Sequence, residues 1–227
     1  MKRHPENNNL KLVFEDQFEG FTVFQQRGPL VEEYLSRALC VTRLALLKHR
    51  KTFAFRVDLH FPADWSFGTN DNKPLERFIA SFKAKIFHNR KLRAEQSGLA
   101  HSTEVSYIWC REIGEHGVPH YHLAILLNRD AFFKLGKFKI GRKNLFNLLV
   151  EAWASALGLL VQEAVGLVHI PENHAYELTR DDTDDMDAFN DFIYRVSYLC
   201  KAETKHFGDG VHSFGTSRIS GLTVRPK

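Results

Sequence analysis

The sequence predicts an α+β fold in which helices pack against an antiparallel sheet. Two observations indicate this class: four segments carry apolar residues at helical spacing, and two apolar, strand-like runs flank a turn-rich centre, as in a β-hairpin. The length of 227 residues suits one domain or one and a half. We divide the chain into an N-terminal extension, residues 1–27, and a main domain, residues 28–227.

The predicted helices follow from their apolar stripes. After Pro29, apolar residues recur three and four positions apart as far as Leu46, and proline is favoured in a first helical turn. A second segment, from Lys73, combines an apolar stripe with a largely basic remainder. A third stripe stops near Gly158, and glycine commonly terminates helices. The predicted helices are 29–48, 73–93, 144–160 and 188–203.

The predicted strands are short and end at turn residues. The first alternates apolar and polar residues in its second half and stops before Pro62. Two later apolar runs enclose a centre rich in glycine and proline, so they form the predicted hairpin. The predicted strands are 52–61, 105–110, 121–127 and 166–171.

Composition restricts the class of protein. The formal net charge of +4 and the pI near 8.9 permit nucleic-acid binding without requiring it. Three widely spaced cysteines, Cys40, Cys110 and Cys200, argue against a disulfide framework and for a reducing cytoplasm. The polar start lacks the apolar core of a signal peptide, and no run of about eighteen apolar residues occurs. We therefore expect a cytoplasmic protein that is not inserted in a membrane.

The hairpin carries a candidate metal site. His120 and His122 are two positions apart on a predicted strand, so their imidazoles project from the same face. A metal needs at least one further ligand, and Glu112 or Glu115 on the opposing strand is within reach. The sequence therefore predicts a site of two histidines and one carboxylate.

Other interpretations of the same stretch stay open. Two histidines on an exposed strand are often only polar side chains that face the solvent. A zinc site of Cys110 and His116 is a competing metal site, although it lacks the paired, closely spaced cysteines of structural zinc sites. Asp58 and His60 share a face of the first strand and either support the metal ligands from behind or are simply exposed polar residues.

The last predicted helix offers a nucleophile. At about 100° per residue its apolar side chains gather on one face, while Tyr194, Tyr198 and Lys201 gather nearly opposite. A tyrosine hydroxyl is a poor nucleophile at neutral pH because its ordinary pKa is near 10, but a metal ion or a lysine lowers the cost of forming a phenolate. The combination predicts a covalent tyrosyl–DNA intermediate, which conserves the phosphodiester energy and permits resealing without ATP.

Two segments are candidates for binding DNA. The basic helix 73–93 contacts phosphates or is solvated surface. In residues 128–142, basic and aromatic residues alternate as in binding sites for single strands, although an irregular loop with inward phenylalanines fits equally. The acidic stretch 180–187 resembles a metal cluster but is better explained as a solvated loop before a helix. The DNA-binding candidates are Lys83, Arg90, Lys134, Lys137, Lys139 and Arg142.

These motifs resemble those of a known family. The sequence Pro119-His120-Tyr121-His122, followed by apolar residues, is similar to the metal motif of the HUH endonucleases. Tyr194, Tyr198 and Lys201 have the spacing of the two-tyrosine motif in rolling-circle replication initiators of small single-stranded DNA phages. The spacing of Trp109 and Glu112 before His120 is also similar to that group, and this resemblance favours Glu112 over Glu115 as the third ligand. Over most of its length the chain resembles the inovirus gene II-type replication proteins of prophages, the YagK/YfjJ-like group.

The resemblance implies both a fold and an activity. The family has an antiparallel sheet of about five strands with the histidine strand at its centre, similar to an RNA-recognition-motif sheet. It uses Mg²⁺ or Mn²⁺ to nick single-stranded or origin DNA, leaving a 5′-phosphotyrosine and a free 3′-hydroxyl that primes rolling-circle replication. One tyrosine would open the circle and the other would close it. The sequence has no Walker A motif, so unwinding would require a separate helicase. The resemblance also implies a separate host polymerase.

Two alternatives remain. In the first, the protein binds nucleic acid without catalysis, its tyrosines stack on bases and its histidines are incidental. In the second, it is a transposase of the same HUH class, which would transfer strands between the ends of an element.

Overall fold

An antiparallel sheet of six strands is the framework of the protein in the computed structural model, which describes residues 2–65, 71–114, 117–180, 186–205 and 207–219. The strands are β1 (Arg3–His4), β2 (Asn7–Val13), β3 (Gln17–Phe18), β4 (Phe21–Thr22), β5 (Leu30–Val31), β6 (Lys51–Leu59), β7 (Ser106–Ile113), β8 (Pro119–Asn128), β9 (Val168–His169), β10 (Ala175–Thr179) and β11 (Phe214–Thr216). The α-helices are α1 (Glu32–Lys48), α2 (Lys73–Ser97), α3 (Leu145–Leu157) and α4 (Met186–Ser197).

The histidine strand lies in the middle of this sheet. Five strands follow the order β10, β6, β8, β7 and β11, and β9 pairs with β6 beside β10. The predicted hairpin is confirmed as β7 and β8, and its register places Glu112 directly opposite His120 and Cys110 opposite His122. The predicted α+β class with an antiparallel sheet is confirmed as well.

The two faces of the sheet are covered by different helices. Side chains of β8 at odd positions, such as Leu123 and Ile125, join one core with apolar residues of α2 and α3. Even positions, such as Ala124 and Leu126, join a second core with α1 and α4. Because side chains alternate along a strand, His120 and His122 lie on the face covered by α1 and α4.

The N-terminal segment takes part in this second core. Strand β2 pairs with β5, which lies after the boundary predicted at residue 27, and β1 pairs with β2. Val13 and Val23 are buried in the core shared with α1 and α4. Residues before 28 thus contribute directly to the packing around the histidine face.

Several predicted boundaries are wrong: α2 continues to Ser97, α3 ends at Leu157, α4 begins at Met186, and the strand predicted at 166–171 is reduced to β9 after a 3-10 turn, Val165–Leu167. The first helix begins at Glu32, because Leu30 and Val31 form β5. The last ends at Ser197 and continues as a single 3-10 turn, Tyr198–Cys200, because Lys201 forms an isolated β-bridge with Leu30. None of the helices in the described ranges is long and apolar enough to span a bilayer.

Candidate metal centre

Glu112, His120 and His122 form the centre of the site. The Nε2 atoms of the two histidines are 3.1 Å apart. Oε2 of Glu112 lies 3.4 Å from Nε2 of His122 and 4.0 Å from Nε2 of His120. The strand period aligns the imidazoles, and the register of β7 with β8 brings the carboxylate across to them.

These separations fit a divalent cation. When six donors surround an ion at about 2.1 Å, neighbouring donors are about 3 Å apart and opposite donors about 4 Å apart. All three candidate ligand atoms lie within 4.8 Å of one another, and Glu112 is buried. Two nitrogens and one carboxylate on one side leave the remaining positions open for a substrate.

Asp58 contacts His122 on the ring nitrogen that points away from the candidate metal position. Its Oδ1 lies 2.7 Å from Nδ1 of His122 and accepts a hydrogen bond from Arg56 at 3.1 Å. A carboxylate on Nδ1 holds the imidazole in the tautomer whose Nε2 lone pair is free for a metal. Of the two positions predicted for Asp58, support of a ligand or exposed polarity, the structure shows the first.

Replacing Asp58 with Asn should weaken metal binding without removing a ligand. Loss of such an outer carboxylate typically lowers affinity about 10- to 100-fold. Titration calorimetry with Mn²⁺ at neutral pH measures this, with His101→Ala as the control because His101 is an exposed loop residue. An Asp58→Asn protein that binds Mn²⁺ as tightly as the wild type would contradict the assigned role.

Two further histidines lie near the site. The ring of His60 is stacked on that of His120, with centroids 5.5 Å apart and planes 8° from parallel. Nδ1 of His169 is 3.7 Å from Oδ2 of Asp58. His60 therefore flanks the candidate ligands, and His169 is placed at the far side of Asp58.

The other oxygen of Glu112 contacts two buried cations. Nζ of Lys201 lies 3.4 Å and Nζ of Lys205 lies 3.6 Å from Oε1, while the hydroxyl of Thr204 donates a hydrogen bond to Oε1 at 2.8 Å. Lys201 is 1% and Lys205 3% exposed. Glu112 thus faces the histidines with one oxygen and a pair of lysines with the other.

Lys201 also connects the carboxylate to a tyrosine. Its Nζ lies 3.7 Å from the centroid of the Tyr198 ring, a cation–π geometry. The Tyr198 ring is in turn 5.8 Å from that of His122, edge to face. Tyr198, Lys201, Glu112 and His122 are therefore a continuous cluster, although some 80 positions separate its two halves along the chain.

The predicted placement of Tyr194, Tyr198 and Lys201 together on the helix face opposite the apolar one is corrected. Tyr194 and Tyr198 are half-buried, each edge-on to Phe24 with ring centroids 5.9 and 5.4 Å apart. Lys201 does not share their helical face, because the helix has ended before it and its backbone bridges to Leu30. Of the two tyrosines, Tyr198 contacts the histidine cluster.

Burial and hydrogen bonds shift the pKa values of the groups in the site. Burial and the neighbouring His122 lower the pKa of His120 to about 4, so its imidazole is neutral at physiological pH. Burial alone would lower the pKa of His122, but hydrogen bonds to Asp58 and Glu112 raise it. Burial alone would raise the pKa of the Asp58 and Glu112 carboxyls. Contacts with His122 and with nearby cations outweigh the effect of burial and hold each pKa below its usual range.

These shifts predict how stability depends on pH. A carboxyl with a lowered folded-state pKa stabilises the fold above its unfolded pKa, about 4, and loses that contribution as the pH falls through the folded value. His122, whose pKa is raised, acts in the opposite direction. Its contribution to the stability of the fold is lost as the pH rises through its folded-state pKa. We expect the free energy of unfolding, from urea titrations with a chelator present, to fall as the pH is lowered from about 5 towards 2.

The Asp58→Asn variant isolates the contribution of the Asp58 carboxyl to this pH dependence. Asp58→Asn removes one titrating group, so its free energy of unfolding should depend less steeply on pH in the acid range. Equal slopes for variant and wild type would show that Asp58 does not cause the acid sensitivity.

Of the two ligands of the competing zinc site, the structure describes only Cys110. Cys110 is fully buried, and burial raises the pKa of its thiol to about 11, which disfavours the thiolate that zinc requires. Its Sγ lies 3.8 Å from Oε1 of Glu112. His116 and the alternative ligand Glu115 lie outside the described residues, as does most of the acidic stretch 180–187.

The predicted DNA-binding residues divide into two groups. Arg90, Lys134 and Arg142 line a groove beside α2 and α3. Lys83, Lys137 and Lys139 are exposed outside the lining of that groove, and Nζ of Lys83 is 5.2 Å from the centroid of the Tyr107 ring. Both groups belong to elements packed on the sheet face opposite the histidines.

Sequence patterns alone missed three members of the site. Arg56 shares a strand face with Asp58, so the alternation of β6 contained a signal for it. Thr204 and Lys205 follow the last helix, whose end was predicted at residue 203 instead of Ser197. No sequence pattern identified either residue as part of the site. Their roles depend on the turn after Cys200.

The family of the chain follows from comparison with known proteins. The model of the family described as YagK/YfjJ C-terminal domain matches residues 14–217. The chain is 33% identical over 201 residues to the uncharacterized protein YfjJ of Escherichia coli (strain K12), which covers 84% of this chain and 96% of the relative. It is 32% identical over 199 residues to the uncharacterized protein YagK of the same strain, covering 85% and 95%. No solved structure matches the chain. The chain therefore belongs to the YagK/YfjJ C-terminal domain family.

Proposed function

We propose that this protein is a metal-dependent DNA endonuclease and strand transferase of the HUH type, which nicks one strand through a covalent 5′-phosphotyrosine and initiates rolling-circle replication. One observation carries the proposal: Tyr198 and Lys201 meet Glu112 and His122 in a single cluster. A nucleophile, a cation and a metal-ligand set in contact are the groups that phosphodiester cleavage by tyrosine requires. The central position of the histidine strand in the sheet agrees with an HUH-type fold.

Each residue has a chemical role in this proposal. Glu112, His120 and His122 would hold a divalent cation, which would supply Lewis-acid polarisation of the scissile phosphate. The Tyr198 oxygen attacks phosphorus and loses its proton, while the bond to the 3′ oxygen breaks and that oxygen takes up a proton. Lys201 stabilises the negative charge that develops on the phenol during attack. The products are a 5′-phosphotyrosine and a 3′-hydroxyl.

The donor set favours Mn²⁺ over Mg²⁺. Mg²⁺ prefers oxygen ligands in near-ideal octahedral geometry, whereas imidazole nitrogens suit the transition metals. Two of the three candidate ligands are imidazoles. Both ions were expected from the family resemblance, and we propose Mn²⁺ as the stronger activator of this chain.

The second tyrosine accounts for strand closure. Tyr194 lies one helical turn before Tyr198 and contacts the same ring, that of Phe24. A second phenol so close allows the 5′ end to be received by a new nucleophile when the circle is completed. A separate helicase and polymerase would open and copy the duplex.

The formation of a covalent adduct tests the proposal. The protein is incubated with Mn²⁺ and a labelled library of random single-stranded oligonucleotides, and complexes that resist denaturation are isolated and sequenced. A tyrosine-linked adduct that forms with a recurrent sequence, and that a chelator prevents, is the expected result. DNA binding without any adduct would favour the non-catalytic alternative, whereas joining between two element ends without circle closure would favour a transposase.

A further inference from the structure

A basic groove lies on the sheet face opposite the candidate metal centre. It has a volume of about 900 Å³ and is bounded by α2, the start of α3 and the loop between β8 and α3. Its single acidic side chain, Glu151, is already paired with Lys85 at 3.6 Å. Six basic residues line it: Lys85, Arg90, Arg93, Lys134, Arg142 and Lys143.

Two aromatic rings accompany these charges. Phe133 is 59% exposed, although it is a large apolar side chain, and Nζ of Lys134 lies 5.0 Å from its ring centroid. The neighbouring Phe132 is half-buried against the core, with the Arg90 guanidinium 4.3 Å from its ring centroid. An exposed ring next to a cation offers a stacking surface for a base and a partner for the adjacent phosphate.

The loop that forms one wall is held in place. Asn144 caps α3 by accepting a hydrogen bond from the Asn147 backbone, and its Nδ2 donates to the Lys137 carbonyl at 2.9 Å. The Asn147 side chain donates to the Lys139 carbonyl at 3.0 Å. Gly136 packs so closely on Asn144 that a Cβ there would lie 2.7 Å from its Nδ2. The groove is thus pre-organised, which lowers the entropy cost of binding.

We propose that this groove binds single-stranded DNA at a second site, separate from the cleavage centre. The groove has five positive charges in excess once the Lys85–Glu151 pair is counted, and such an excess suits a polyanion. An exposed ring in a concave basic groove suits unpaired bases rather than a duplex. The choice of DNA as the polyanion rests on the proposed function. Because the groove and the histidines lie on opposite sheet faces, the groove would hold a flanking part of the strand and raise its local concentration at the cleavage centre.

The test separates binding from chemistry. Fluorescence anisotropy measures the affinity of the full chain carrying Tyr198→Phe for labelled oligothymidine of about 20 nucleotides, a length above the usual single-strand site size, with EDTA present. Phe133→Ala should weaken binding about 5- to 100-fold. Arg93→Ala with Lys134→Ala should weaken it and lower the salt slope by about 1.4, the value for two phosphate contacts.

A matched control keeps the charge change constant. Arg77→Ala with Lys91→Ala removes two exposed cations of α2 outside the groove lining, so affinity and salt slope should change less than in the groove pair. Equal losses in both pairs, no loss with Phe133→Ala, or tighter binding of duplex DNA would overturn the proposal. Tighter binding of single-stranded RNA would assign the groove to RNA and also overturn it. If the groove binds single-stranded DNA but the wild-type protein forms no covalent adduct, only the proposed nicking activity is rejected.

Discussion

Tyr198→Phe should lower the yield of covalent DNA adduct on the order of 100-fold or more, because the variant retains the ring and loses only the attacking oxygen. Tyr198 is the tyrosine whose ring meets His122 and Lys201. Tyr194→Phe should lower the yield by less than about tenfold, since Tyr194 contacts Phe24 and is one turn away. The double variant should form no detectable adduct. Denaturing gels with labelled oligonucleotide and Mn²⁺ measure all three.

Tyr176→Phe is the matched control for these variants. Its ring is also half-buried and packs on Phe192, but it belongs to the edge strand β10. Adduct yield should be unchanged in this control, and Mn²⁺ affinity should be unchanged in all of the Tyr→Phe proteins. Wild-type adduct yield in the double variant would remove both tyrosines from the mechanism.

His120→Ala should abolish cleavage and weaken Mn²⁺ binding on the order of 100-fold or more, because one of three ligands is lost. His120 is half-buried and its ring packs on other histidines, so the fold should tolerate the smaller side chain. Binding of single-stranded DNA in EDTA should be largely retained, since phosphate contacts elsewhere provide it. Calorimetry with Mn²⁺ and anisotropy with oligonucleotide measure the two affinities separately.

Glu112→Gln offers a second route to the same conclusion. It keeps the shape of the side chain but removes the charge that faces both the histidines and the two lysines. We expect weaker Mn²⁺ binding and a lower free energy of unfolding, because two buried lysines lose their counter-charge. If His120→Ala and Glu112→Gln both bound Mn²⁺ with wild-type affinity, the cation would have to be held elsewhere.

Local patterns predicted the four helices and the three central strands of the sheet, but not the strands β1–β5, β10 and β11. The hairpin, the strand before Pro62 and the four helices were all expected from periodicity and turn residues, since each pattern is contained within one segment. The ends of elements were predicted less well. The stripe after Pro29 could not reveal that Leu30 and Val31 pair with β2, and the stripe of α4 could not reveal that Lys201 bridges to Leu30. Both boundaries depend on partners more than ten residues away.

Local sequence is enough to predict that His120 and His122 share a face, because the two-residue period of a strand is a property of the backbone alone. The groups that contact these histidines depend on the packing of distant elements. Asp58 reaches His122 through the pairing of β6 with β8, and Tyr198, Lys201 and Lys205 reach Glu112 because α4 packs on that face and ends where it does. Such contacts depend on how the two cores pack, and no local pattern encodes that packing.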